Sequence, residues 1–171
     1  KMLGYSINTD NTDELDEAEK ILSEQRPMVQ AYLLDSARDE MIAENAAIAL
    51  VYSGEAPYAT EYNDDLAYVV PKEGSNVWVD SWAITKDCKN TENAEKFLNY
   101  LLEVEISKIS FEYNHYGTPN KKLAEILPAK YTEDPALFPP SDVLDNCEIF
   151  RSLDRGTQDY YSKLWKEIKL D

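Results

Sequence analysis

The chain reads as an α/β protein, and three observations predict that class. Short amphipathic helical stretches alternate with short apolar runs along its 171 residues. The clearest apolar run, Ala46 to Tyr52, is continuous rather than alternating, as in a strand covered on both faces of a parallel or mixed sheet. Turn-forming residues punctuate the junctions, among them Ser53-Gly54, Pro71, Gly74 and Gly117-Thr118-Pro119-Asn120. The expected architecture is a mixed sheet flanked by helices.

Asp10 to Glu24 opens the chain as a helix. Asp10, Asn11 and Thr12 suit a cap, Asp13, Glu14 and Asp16 suit the positive end of the helix dipole, and Leu15, Ala18, Ile21 and Leu22 share one face. Pro27 ends it. Val29 to Leu34 is expected as a buried strand, and Ser36 to Asn45 as a short helix with Met41 and Ile42 inward. Ala46 to Tyr52 is expected as a strand buried on both faces. A short helix from Glu55 to Tyr62 follows, then strands over Leu66 to Val70 and Val77 to Ile84.

Thr91 to Val104 carries the strongest helical pattern, with Ala94, Phe97, Leu98, Leu101 and Leu102 as its apolar stripe. A second helix spans Glu105 to Tyr113, and Tyr116 to Asn120 forms a turn. Lys121 to Leu127 is a short helix, Pro128 to Pro140 a proline-rich loop, and Ser141 to Cys147 a helical turn. Thr157 to Lys169 is a terminal helix packing through Tyr160, Tyr161, Leu164, Trp165 and Ile168.

Composition narrows the function. Hydrophobic residues make up 43% and charged residues 29%, the balance of a globular domain. No apolar run approaches the ~18 residues that span a bilayer, and no apolar signal core follows Lys1. The net charge of −16 makes nucleic acid a poor partner, because phosphate binding needs clustered Lys and Arg. Cations, or a well-solvated surface, fit better.

Cys88 and Cys147 are too few and too far apart for a zinc site; they could pair in an oxidising compartment, but free thiols are the expectation. His115 is the only histidine, which leaves little for a histidine metal site or a catalytic triad. There is no nucleophile elbow, phosphate-binding loop or dinucleotide fingerprint, and no acid pair stands out by spacing. The sequence therefore calls for no cofactor, no metal and no catalytic residue.

Three places carry recognition chemistry. At Tyr52-Ser53-Gly54 an aromatic ends an apolar run at a tight turn. In Trp78-Val79-Asp80-Ser81 an indole and a carboxylate stand two apart, which on a strand means one face. At Tyr116-Gly117-Thr118-Pro119-Asn120 a turn presents a tyrosine. Rings attract an organic ammonium through their quadrupoles, and a carboxylate adds charge-assisted hydrogen bonds. Each of these residues has an ordinary reading too, as core or turn anchor. On the residues alone the chain is an α/β domain.

The run from Ala46 to Gly54, the segment Leu66 to Ser81 with Pro71-Lys72-Glu73-Gly74 and Trp78-Val79-Asp80-Ser81, and Ala83-Ile84 together resemble the spermidine/putrescine-binding proteins of ABC importers. The likeness continues through Ala94 to Leu102, Tyr116 to Asn120 and Tyr161 to Lys169, covering nearly the whole chain.

The resemblance implies a two-lobe periplasmic-binding-protein fold of type 2, with the ligand in the cleft between lobes. It places Tyr52, Trp78, Asp80 and Tyr116 at that cleft. Tyr52 stands where the family commonly has Trp, and Phe150 falls near a polar contact that is usually Gln, whose hydrogen bonds Phe cannot supply. The family runs to about twice this length, so the resemblance makes this chain the carboxy-terminal part of an incomplete two-lobe architecture. Residues 1–78 and 125–171 would form lobe two, and 79–124 would be an excursion into lobe one.

The implied function is capture of a cationic polyamine, with the ABC-transporter permease as partner. The implied location is periplasmic or extracellular and membrane-associated, through a lipid or a fused permease. The apolar residues Phe97, Leu98, Leu101, Leu102, Ile106 and Ile109 would need cover, which predicts self-association into a homo-oligomer. The alternatives are another solute on the same fold (an iron complex, another organic cation or a sugar) and a non-catalytic interaction domain.

Overall fold

A computed structural model describes residues 1–170. It divides into two compact units. The first comprises Lys1–Ala37, Val70–Trp78 and residues 141–170; the second comprises Arg38–Val69 and Val79–Pro140.

In the first unit, α1 (Thr12–Gln25) starts at Asn11, whose side chain accepts from the Asp13 amide, with Asp13 and Glu14 in the first turn. A 3-10 turn over Arg26–Met28 carries Pro27 where its missing N–H costs nothing. α9 (Arg155–Leu170) packs on α1 and buries Ile168. Polar contacts fix the pair. The Tyr160 hydroxyl donates to Asp16 at 2.5 Å and the Tyr161 hydroxyl to the Thr9 carbonyl at 3.1 Å. The carboxylate partner raises the Tyr160 phenol above its ordinary range, while burial is the main cause of the rise at Tyr161. Trp165 meets Tyr32 edge to face, with centroids 5.0 Å apart.

The only ladder among the described residues lies in this unit. β1 (Asn76–Val77) runs parallel to β2 (Glu148–Ile149), with Asn76 opposite Glu148 and Val77 opposite Ile149. Gly74 makes the approach possible. Its φ is +92°, and a Cβ there would collide with the Asn146 carbonyl. α8 (Ser141–Leu144) leads into β2.

The second unit holds α2 (Ser36–Ile42, apart from its first two residues), α3 (Glu55–Tyr62), α4 (Thr91–Leu101), α5 (Val104–Asn114), α6 (Lys121–Ala124) and α7 (Ala129–Thr132). Its core is Phe111, Leu123, Leu127 and Leu137, with Val104, Tyr131 and Phe138 against it. The proline-rich segment is thus partly structural: it forms α7 and buries Ala136 and Leu137. Cys88 and Cys147 are both free thiols.

The expected strands are the main correction. Val29 to Leu34 is not buried, for Tyr32, Leu33 and Leu34 are all exposed. In Ala46 to Tyr52, Ile48 is 90% and Leu50 95% exposed, and in Leu66 to Val70 Val69 is 77% exposed. Of Val77 to Ile84 only Val77 joins a ladder. A strand is defined by a ladder of amide and carbonyl bonds to a neighbour, and the ladder found among the described residues joins only Asn76–Val77 with Glu148–Ile149. The stripe on α4 also stays open, with Phe97 53% and Leu102 65% exposed.

Candidate functional site

The second unit brings together the turns that carry two of the expected site residues. Tyr52 ends its apolar run at the mouth of α3, and its carbonyl accepts from the Glu55 amide at 3.0 Å. Ser53 and Gly54 complete the turn, with Gly54 as the cap residue of α3. The Tyr116 ring lies directly on Gly54: a Cβ added there would sit 2.5 Å from Tyr116 Cε2. The Tyr52 and Tyr116 turns, 64 positions apart in sequence, are therefore neighbours in space.

Local structure fixes both turns. α5 ends at His115 in the left-handed conformation, φ 57°, its amide donating to the Phe111 carbonyl. The next amide, of Tyr116, donates to Asn114 Oδ1 at 3.1 Å. Gly117 packs so closely on the Leu137 carbonyl that a Cβ would collide with it. Asn120 caps α6 through the Leu123 amide, and its amide nitrogen donates to the Leu102 carbonyl at 2.9 Å and to Ser107 Oγ at 3.0 Å. On the other turn, Glu55 is held by Arg38 at 2.8 Å, and the Arg38 guanidinium lies 4.3 Å over the Tyr58 ring.

Trp78 and Asp80 fall on opposite sides of the junction between units. Trp78, 37% exposed, is the last residue of that segment of the first unit, and Asp80, exposed, belongs to the second. The ladder that would impose alternation stops at Val77. Phe150 follows β2 and is 63% exposed. The acid beside it has a structural task. Glu148 accepts from Lys1 Nζ at 2.7 Å, from the Ser6 hydroxyl, from the Ile7 amide at 3.4 Å and from Asn8 Nδ2 at 3.4 Å. The bonds from Lys1, Ser6 and Ile7, the one from Lys1 first, lower its pKa to about 2.

Gly54, Arg38 and Glu55 carry no periodic signal and are not evident in the sequence as site residues. The adjacency of Gly54 to Tyr52 in a turn is the one hint. No group of three or more potential metal ligands exists among the described residues.

A family model described as bacterial extracellular solute-binding protein matches residues 1–139. The spermidine/putrescine-binding periplasmic protein of Escherichia coli is 30% identical over 167 residues, covering 96% of this chain and 48% of that protein. A putrescine-binding periplasmic protein of Pseudomonas aeruginosa is 29% identical over 173 residues, covering 98% of this chain and 47% of that one. The chain spans about half the length of the curated relatives it matches.

Two solved structures agree. A spermidine/putrescine ABC transporter chain from Listeria monocytogenes superposes with TM-score 0.88 at 39% identity, covering 98% of this chain and 52% of that one. The spermidine/putrescine substrate-binding protein PotD from Streptococcus pneumoniae gives TM-score 0.87 at 36% identity, with 98% and 52% covered. The fold is therefore the α/β fold of these binding proteins, in the portion that this chain spans, and with the family model covering most of its length the chain belongs to the bacterial extracellular solute-binding protein family.

Proposed function

We propose that this chain supplies part of the cleft of a polyamine-capturing protein that serves an ABC importer and does no chemistry on its cargo. The observation that carries the reading is the Tyr116 ring seated on the turn that holds Tyr52. Two distant segments, each carrying a tyrosine, are thus adjacent, which supports a sheath of rings for an alkyl ammonium. The names of the relatives, spermidine/putrescine-binding and putrescine-binding, support the same solute class.

In this reading Tyr52, Trp78 and Tyr116 line the methylene chain, and Asp80 pairs with an ammonium group. A desolvated ammonium needs that partner, so Asp80 selects amines over neutral solutes. Residues 1–78 and 125–171 belong to lobe two of the larger protein and 79–124 to lobe one. The protein works outside the cytoplasmic membrane, held there by a lipid or a fused permease. The exposed Trp82, Phe97 and Leu102 support self-association of the isolated chain.

Calorimetric titration of the full-length protein tests the reading. Spermidine or putrescine should bind, and Asp80→Asn should weaken binding about 10- to 100-fold, the worth of a charge-assisted hydrogen bond. Unchanged affinity in D80N removes Asp80 from the site. Preference for a sugar or an iron complex in the same panel replaces the solute class.

A further inference from the structure

We infer that Gly54 is a positioning residue for the proposed site: its lack of a side chain is what seats the Tyr116 ring against the turn that follows Tyr52. The inference takes its ligand from the polyamine reading; its geometry stands apart from that reading.

The glycine is not required by the backbone. Gly54 has φ −69° and ψ −20°, an ordinary right-handed conformation open to any residue. What sets it apart is space. A Cβ at this position would stand 2.5 Å from Tyr116 Cε2, 2.6 Å from Cζ and 2.7 Å from Cδ2. Carbon atoms at rest keep about 3.5–4.0 Å apart, so a methyl group here is incompatible with the ring where it lies. The atoms involved run along one edge of the ring up to the carbon that bears the hydroxyl.

The backbones of both turns are anchored, so an intruding methyl cannot be absorbed by moving either. The Tyr52 carbonyl accepts from Glu55 and the Ser53 carbonyl from Ala56 at 3.3 Å, while Arg38 grips Glu55. On the other side, His115 closes α5 and Gly117 is wedged against Leu137, a core residue. What must give way is the Tyr116 side chain, which turns about its own Cα–Cβ bond at the cost of leaving the position it holds. An added methyl should therefore leave the fold intact and dismiss the ring from the site. Gly54 acts on the ligand only through Tyr116.

A mutant cycle in the full-length protein tests this, read by calorimetry with spermidine. Gly54→Ala and Tyr116→Ala should each weaken binding about tenfold, and the double variant should be no weaker than Tyr116→Ala alone. Wild-type affinity in G54A, or additive losses in the double variant, overturns the inference. A ligand-free measurement separates it from the polyamine reading. In the NMR spectrum of the unliganded protein the Gly54 α-protons should carry a ring-current shift that Tyr116→Leu abolishes. Absence of that shift overturns the placement of Gly54. If the shift is present and no polyamine binds the wild type, the seat stands and the choice of cargo falls. The wild-type and Y116L spectra decide the matter even if G54A does not fold.

Discussion

Arg38 and Glu55 form an ion pair of 2.8 Å across 17 positions of sequence, with the guanidinium stacked 4.3 Å over Tyr58. The pair joins α2 to the first turn of α3, the turn that Tyr52 and Gly54 lead into. Both side chains are mostly sheltered, at 26% and 18% exposure. The stacking adds a planar contact that lysine cannot copy. Arg38→Met keeps most of the aliphatic stem and loses both interactions, so it should destabilise the protein by about 1–2 kcal/mol in urea unfolding. Arg38→Lys should fall between Met and wild type.

Leu123 is fully buried beside Phe111, Leu127 and Leu137. Leu123→Ala removes methyl groups from a site closed on every side, so the cost should be about 3–5 kcal/mol in chemical denaturation. A cost below about 1 kcal/mol would mean that this core collapses around the hole.

Asn120 does three things at once: it caps α6, and it donates to Leu102 and to Ser107. Asn120→Ala should cost about 1–2 kcal/mol. Asn120→Asp keeps the cap and loses the two donations, so it should recover only part of that loss in the same unfolding assay.

The Glu148 carboxylate predicts an acid sensitivity. Its folded pKa, about 2, lies below the ordinary 4.5. A lowered carboxylate contributes stability that is present above 4.5 and lost as pH falls toward 2. Across that window the tether from Lys1, Ser6, Ile7 and Asn8 should loosen. Carbon-detected NMR titration should find Glu148 still ionised at pH 3, and amide exchange at Ile7 should speed up below it. Glu148→Gln should remove this part of the pH dependence. A titration midpoint near 4.5 contradicts the network.

Helices were the legible part of the fold because their signal is local. Asn11 before an acidic first turn, the 3.6-residue spacing in Thr91 to Leu101, and Gly117 with Pro119 in the turn after α5 each act within a few residues. The strands were not legible in the same way. Ala46 to Tyr52 has the composition of a doubly covered strand, yet composition names no partner, and Ile48 and Leu50 stand exposed. The pairing that does form, Asn76 with Glu148, joins short segments with no apolar run on the second strand. At the candidate site, Tyr52 and Tyr116 could be chosen from their turns. That one turn lies on the other through Gly54, and that Arg38 braces the first from α2, depends on distances across the unit that no spacing encodes.

The first unit is stitched from pieces that are far apart in the chain: Lys1 meets Glu148 across 147 positions, and Tyr161 meets Thr9 across 152. During translation α1 leaves the ribosome roughly 7–30 s before α9, at about 5–20 residues per second. The whole second unit is made in that interval, and its local helical contacts can form first. Until α9 arrives, the face of α1 that it covers lacks that particular cover, and the length of the delay is set by the order in which the ribosome delivers the parts.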